Sequence, residues 1–134
     1  MSNYEVIEAG SMSDWKNNKI PFGDITFEGK RFLRNDLGAT GCEISINSFL
    51  PGKETMFLHR HKLNEEIYIF LSGHGEFVVD SEVIKIKPGT VVKVKPSGVR
   101  GYKNTGDDEL HYICVQVEAD SLTKCNSDDG EIVE

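Results

Sequence analysis

Two imidazoles one residue apart, His59 and His61, stand just ahead of a carboxylate, Glu66, in the stretch HRHKLNEEIYIFLSG that runs from His59 to Gly73. If TMFLHRH is a strand, residues two apart share a face and lie about 6.5–7 Å apart along the chain, so His59 and His61 converge while Arg60 points away. KLN supplies a turn, and Glu66 opens the returning apolar run EIYIFL. The carboxylate can then lie across from the histidine pair. Two neutral imidazoles and one carboxylate suit Zn, Fe, Mn or Ni, with positions left open for water or substrate. His-x-His alone is also a common hairpin pattern, and a polar corner holding no ion is the competing reading.

Such a site needs strands to carry it, and strand signals dominate between residues 24 and 118. CEISINSFL alternates Cys42, Ile44 and Ile46 against Glu43, Ser45 and Asn47, the pattern of a strand with one wet face. GEFVVD offers Phe77 and Val79, EVIKIK offers Ile84 and Ile86, and TVVKVK offers Val92 and Val94, each at period two. Their inward residues are expected to line one continuous core. LPGKE, LSGHGE, VDSE, IKPGT, KPSG and NTGDDE carry the Gly, Pro and Asx chemistry of chain reversals. Many short strands with closely spaced turns predict an all-β sandwich or barrel. No window has a helical period, and Lys85, Lys87, Lys93 and Lys95 alternate with core residues as a solvated sheet face.

The ends differ in character. YEVIE, near the N-terminus, is read as an edge strand, and SDWKNNKIPFGD as a loop in which Trp15 covers the barrel mouth, meets a subunit interface, or is pinned to the edge of the core. The C-terminal NSDDGEIVE is acidic. This divides the chain into an extension with first strands at 1–39, a core at 40–118 and an acidic tail at 119–134.

At 134 residues the chain is one domain, and a domain of that size buries roughly 65–70% of the surface its unfolded form exposes. A formal charge of −7 opposes binding to nucleic acid or an anionic membrane. No apolar run approaches the roughly 20 residues of a membrane span, and the N-terminus lacks the basic and apolar regions of a secretory signal, so the expected location is cytoplasmic. Cys42, Cys114 and Cys125 are odd in number with no CxxC, which suits free thiols.

The longer pattern of Gly52, His59, His61, Glu66 and Gly73 resembles the first motif of the cupin superfamily, with four residues between His61 and Glu66 and six between Glu66 and Gly73. Gly52 and His59 are separated by six residues rather than the usual five. GTVVKVKPSGVRGYKNTG is similar to the second motif from Gly89 through Pro96 and Gly98 to Asn104, but Arg100 stands where that motif has its histidine. The resemblance spans about residues 40–118. It implies a small single-domain cupin, a double-stranded β-helix of the conserved-barrel type, with the ligand site in the barrel mouth and pairing into a homodimer. Fold alone does not fix function, because cupins include enzymes, binding proteins and storage proteins.

Arg100 has no lone pair for a metal. Three placements are open. His59, His61 and Glu66 hold a metal, while Arg100, with Tyr102, contacts a small anionic substrate through a bidentate contact. Alternatively, Arg100 pairs with Glu66 and replaces the metal. Finally, Arg100 runs outward to solvent. A replacement ligand from the last strand, HYICVQV, would be His111, Cys114 or Gln116, and either face of that strand could line the pocket. His74, in a Gly-flanked turn, is expected at the surface.

The expected function is a divalent-metal cupin acting on a small anionic molecule, as an isomerase or dioxygenase-like enzyme with Tyr102 or Glu54 as acid or base. The alternative is a metal-free protein that binds a sugar or organic acid without catalysis.

Overall fold

The computed structural model describes residues 2–125 and 128–134. Asn126 and Ser127, the first residues of the acidic NSDDGEIVE stretch, lie outside the described residues. Among the described residues ten strands form: β1 (Lys19–Phe22), β2 (Ile25–Glu28), β3 (Lys30–Phe32), β4 (Glu43–Phe49), β5 (Asn64–Ser72), β6 (Gly75–Val79), β7 (Glu82–Ile86), β8 (Val91–Val94), β9 (Arg100–Asn104) and β10 (Leu110–Glu118). Among the described residues no helix is long and apolar enough to cross a membrane.

Period two in the sequence becomes two-sidedness in the sheet. In β8, Val92 and Val94 are buried while Val91 and Lys93 are exposed. β6 and β7 form a hairpin closed by Asp80 and Ser81, both in the left-handed region with φ of 49° and 72°. Positive φ at both positions is the type I′ form of a two-residue hairpin loop, and Asp tolerates it well. The Asp80 carboxylate also accepts the Val99 N–H at 2.9 Å, tying the turn to the approach to β9.

All pairings are antiparallel. A five-stranded sheet runs in the order β3-β4-β10-β5-β8, a three-stranded sheet in the order β7-β6-β9, and β1 and β2 form a separate hairpin. The two larger sheets meet through aromatic rings. Phe77 of β6, with no exposed surface, lies 4.8 Å from the Tyr68 ring of β5 and stacks on Tyr102 of β9 at 5.5 Å. Tyr112 of β10 completes the set, 5.3 Å from both Phe70 and Tyr102. Burying each of these rings contributes about 2–3 kcal/mol, and their edge-to-face contacts fix the spacing of the sheets.

Phe77, Val79, Ile84, Ile86, Val92 and Val94 share one core as the strand pattern predicts, but Ile44 and Ile46 do not join it. One cluster lies between the sheets around Phe70, Phe77 and Leu110, and a second lies behind the larger sheet, where Trp15, Leu33 and Ile46 pack with Ile7, Ala9 and Ile113. The five-stranded sheet is thus covered on both faces. For the same reason β4 has no wet face: Ser45, Asn47 and Ser48 are as buried as Ile46.

The N-terminal segment departs from expectation too. YEVIE is not a strand; it lies across the back of the sheet, where the Glu8 carbonyl accepts the Arg31 guanidinium at 3.0 Å and Ile7 joins the second core. Two short helical turns also appear, a 3₁₀ turn at Met12–Asn17 and α1 at Arg34–Leu37, both shorter than a sequence period can reveal. The 3₁₀ turn buries Trp15, whose ring stands edge-on to His111 at 5.9 Å. Trp15 is therefore pinned to the core and not at the cavity mouth.

Candidate metal centre

The segment carrying the histidines is not a regular strand, contrary to the reading of TMFLHRH. It runs beside β9 with bends at Met56 and Phe57, joined by isolated bridges of Glu54 to Lys103 and His59 to Arg100. His59 and Arg100 exchange both backbone hydrogen bonds, at 3.1 and 2.9 Å, and the His61 N–H donates to the Pro96 carbonyl at 2.9 Å. These bonds fix the backbone on either side of Arg60. Glu66, on β5, is paired to Val94 on one side and Gln116 on the other, so it sits inside the sheet and not at a frayed end.

The expected convergence is present. One ligand atom each from His59, His61 and Glu66 lies within 4.8 Å of the others. Glu66 Oε1 is 3.5 Å from His59 Nε2 and 3.3 Å from His61 Nε2. A first-row metal about 2.0–2.2 Å from each donor needs its donors roughly 3–3.5 Å apart, so these distances suit a shared ion. His61 Nε2 is buried and makes no hydrogen bond despite that proximity, because it is not aligned on the carboxylate. The donor set therefore fits a divalent transition metal.

Protonation states favour the same use. Burial pushes the His61 imidazole below its ordinary value, against the opposing pull of Glu66, which favours the neutral form a metal requires. Burial alone would raise the Glu66 carboxyl, but His59, the Tyr68 hydroxyl and the charges of His61 and Arg100 outweigh it and hold it down at about 2. The Tyr68 hydroxyl donates to Glu66 Oε1 at 2.7 Å, and the Cys114 thiol lies 3.5 Å from Oε2.

Arg100 is completely buried, which rules out the outward placement. Its Nη1 donates to the Gly98 carbonyl at 2.8 Å and the Pro96 carbonyl at 3.3 Å, and its Nε lies 3.3 Å from Glu66 Oε1. Nε and Nη2 have no hydrogen-bond acceptor among the described residues. The guanidinium stands behind Glu66 and does not line the cavity.

That cavity, of about 540 Å³, has the metal cluster in its wall. Phe22, Phe27, Phe49 and Phe57 make an apolar side, and Tyr68, Tyr102, Tyr112 and Cys114 its inner end. Tyr102 lies in this wall with its hydroxyl bonded to that of Tyr112, and burial raises both phenols above their ordinary range. Glu54 is exposed and also lines the cavity. Of the last-strand candidates, Cys114 and Gln116 face the cavity, but Cys114 is outside the ligand cluster and the Gln116 carbonyl is taken by Asn64 at 2.8 Å. His111 is on the opposite face, where its Nδ1 is bonded to the Ser72 hydroxyl at 2.6 Å. His74 is exposed. Cys42, Cys114 and Cys125 are free thiols.

Sequence reasoning missed Lys30 and Ser45, which line the cavity, and Asn47, which holds Lys30 from behind. The alternation in CEISINSFL was the available signal, but period two does not tell a polar residue facing a cavity from one facing solvent.

The Cupin domain family matches residues 46–116, which include the three candidate ligands and Arg100. A cupin protein from Bacteroides fragilis of known crystal structure superposes with a TM-score of 0.83 at 30% identity, covering 100% of both chains. An uncharacterized protein of Methanocaldococcus jannaschii is 31% identical over 65% of this chain and 66% of its own length. An oxalate-binding protein of Thermotoga maritima is 32% identical over 49% of this chain. The chain thus spans less than two thirds of these two curated relatives, 66% and 54% of their lengths. With the family matched over more than half its length and the architecture over all of it, the chain belongs to the cupins.

Proposed function

We propose that the cavity binds a small anionic molecule beside a divalent transition metal held by His59, His61 and Glu66, and that the protein is a metal-dependent cupin enzyme of isomerase or dioxygenase-like type. The observation that carries this reading is the convergence of the three ligand atoms within 4.8 Å at the wall of a cavity large enough for a small metabolite. The oxalate-binding relative supports an organic acid as ligand. A bound ion would supply a Lewis-acid or redox centre. Tyr102 contributes a wall against which the ligand packs, and Glu54, near the opening, is the candidate base. Arg100 acts through Glu66, whose carboxylate it helps keep ionised.

A second reading rests on one contact. The Arg100 guanidinium, 3.3 Å from Glu66 Oε1 and fully buried, can stand in for the ion's charge, which would make the protein a metal-free binder of a sugar or organic acid. Elemental analysis of protein purified without a metal-affinity tag separates the two. The metal reading expects about half an equivalent or more of a transition metal, lost in His61→Ala; less than about a tenth, unrestored by dialysis against Zn, Mn or Fe, selects the metal-free reading.

A further inference from the structure

Lys30 opens β3 beside Asn47 of β4 and lines the same cavity as the metal cluster. Its ammonium is held on neutral oxygens, the Asn47 side-chain carbonyl at 2.8 Å and the Ser45 hydroxyl at 3.5 Å. That corner is built to receive it. The Asn47 amide donates to Ser45 Oγ at 3.0 Å and to the Tyr112 carbonyl at 3.4 Å, which turns its oxygen toward Lys30. Asn47 and Ser45 are 1% and 3% exposed, so the shelf is rigid and dry.

The charge on this shelf is only partly answered, because Glu66 and Glu43 attract it without reaching ion-pair distance and burial outweighs them. Among the described residues no carboxylate lies within the 4.0 Å of an ion pair with Lys30. An ammonium has three donors, and the protein's side chains take two. Burial makes the cation costly, and an anion from the cavity would offset that cost. Arg100 is sealed behind Glu66 and does not line the cavity, and Lys53, which does line it, has its ammonium 3.8 Å from the Glu28 carboxylate and over the Phe49 ring. Among the described residues, Lys30 is then the lysine of the cavity wall with no carboxylate in ion-pair range, and so the one left to meet a ligand.

We propose that Lys30, seated on Ser45 and Asn47, is the anion-recognition residue of the cavity, and that it binds the carboxylate of a small organic acid whose body packs on the aromatic wall. This rests on the reading that the cavity takes an anionic ligand, but it does not require the metal. A dicarboxylate would engage the metal cluster and Lys30 together, whereas a monocarboxylate would engage Lys30 alone.

The test is calorimetric titration of succinate and benzoate, with succinamide as the neutral control, into wild type, Lys30→Met and Lys30→Arg, each with its metal content measured. The expected result is carboxylate binding to wild type, at least tenfold weaker binding to Lys30→Met with unchanged metal content, partial recovery in Lys30→Arg, and no response to succinamide. Equal binding by Lys30→Met, or no binding of either acid to wild type, overturns the proposal. A protein without metal that still binds the acids through Lys30 removes the metal reading and leaves this one standing. Should Lys30→Met fold poorly, wild type labelled with ¹³C-lysine gives the same answer: the Lys30 ε-carbon resonance must shift on adding either acid, and an unmoved signal overturns the assignment.

Discussion

The Arg100 Nε lies 3.3 Å from Glu66 Oε1, and both side chains are out of solvent. One carboxylate thereby serves a fixed internal cation and, by its position beside two imidazoles, the candidate metal. Glu66→Gln keeps the shape and removes the charge. Taking one partner from a buried ion pair leaves the other uncompensated, a loss of about 3 kcal/mol. Urea unfolding of chelator-treated protein should show that loss with no metal present, and an unchanged midpoint would mean that Arg100 is satisfied by the Gly98 and Pro96 carbonyls alone.

Replacing Arg100 tests the other side of this contact. A guanidinium next to a metal site repels the ion, and in a partly buried site the repulsion is only weakly screened. Arg100→Met keeps the apolar stem and deletes the charge, so affinity for Zn or Mn should rise by about tenfold or more. Competition against a chromophoric chelator measures it. A fall in affinity would show that Arg100 supports the site by orienting Glu66.

The convergence of His59, His61 and Glu66 was legible in the sequence because the three lie close along the chain: two histidines flank Arg60, and Glu66 follows a short turn. The strands were legible where period two coincides with burial, as in Val92 and Val94. Three features were not. The TMFLHRH stretch has strand composition but only isolated bridges, since the bends at Met56 and Phe57 depend on β9, more than forty residues away. YEVIE has strand composition too, yet it finds its partners in side-chain packing on Trp15 and Ile46 rather than in a ladder. Lys30 carries no local motif, and only the β3–β4 pairing brings it to Asn47.

Lys30 also makes a pH prediction. Burial lowers its ammonium from the ordinary 10.5, with Cys114, Glu66 and Glu43 pulling the other way. Between the lowered native value and 10.5 the folded state binds fewer protons than the unfolded one, so stability rises with pH in that window. Below it, the full cost of the buried cation is present. Urea midpoints of wild type and Lys30→Met, compared from neutral pH to about 10.5, should therefore diverge in favour of wild type as pH rises. Parallel curves would show that Lys30 is no harder to charge in the fold than in the unfolded chain.

The two glycines flanking the histidine–glutamate stretch have different physical reasons to be glycine, and substitution separates them. Gly52 has φ +80° with nothing within 4 Å of the position a Cβ would take, so Gly52→Ala meets only the left-handed backbone penalty, about 1 kcal/mol. Gly73 has φ +90°, and a Cβ there would fall 2.6 Å from the Glu109 carbonyl oxygen and 2.8 Å from the Leu110 Cα. Both obstacles are backbone at the start of β10, which cannot swing aside as a side chain would. Gly73→Ala must therefore displace β10 near its pairing with the end of β5, and should lose about 3 kcal/mol or more. Urea unfolding of the two variants side by side checks the ordering. Equal losses would mean that backbone conformation alone, and not the close approach of β10, requires glycine at position 73.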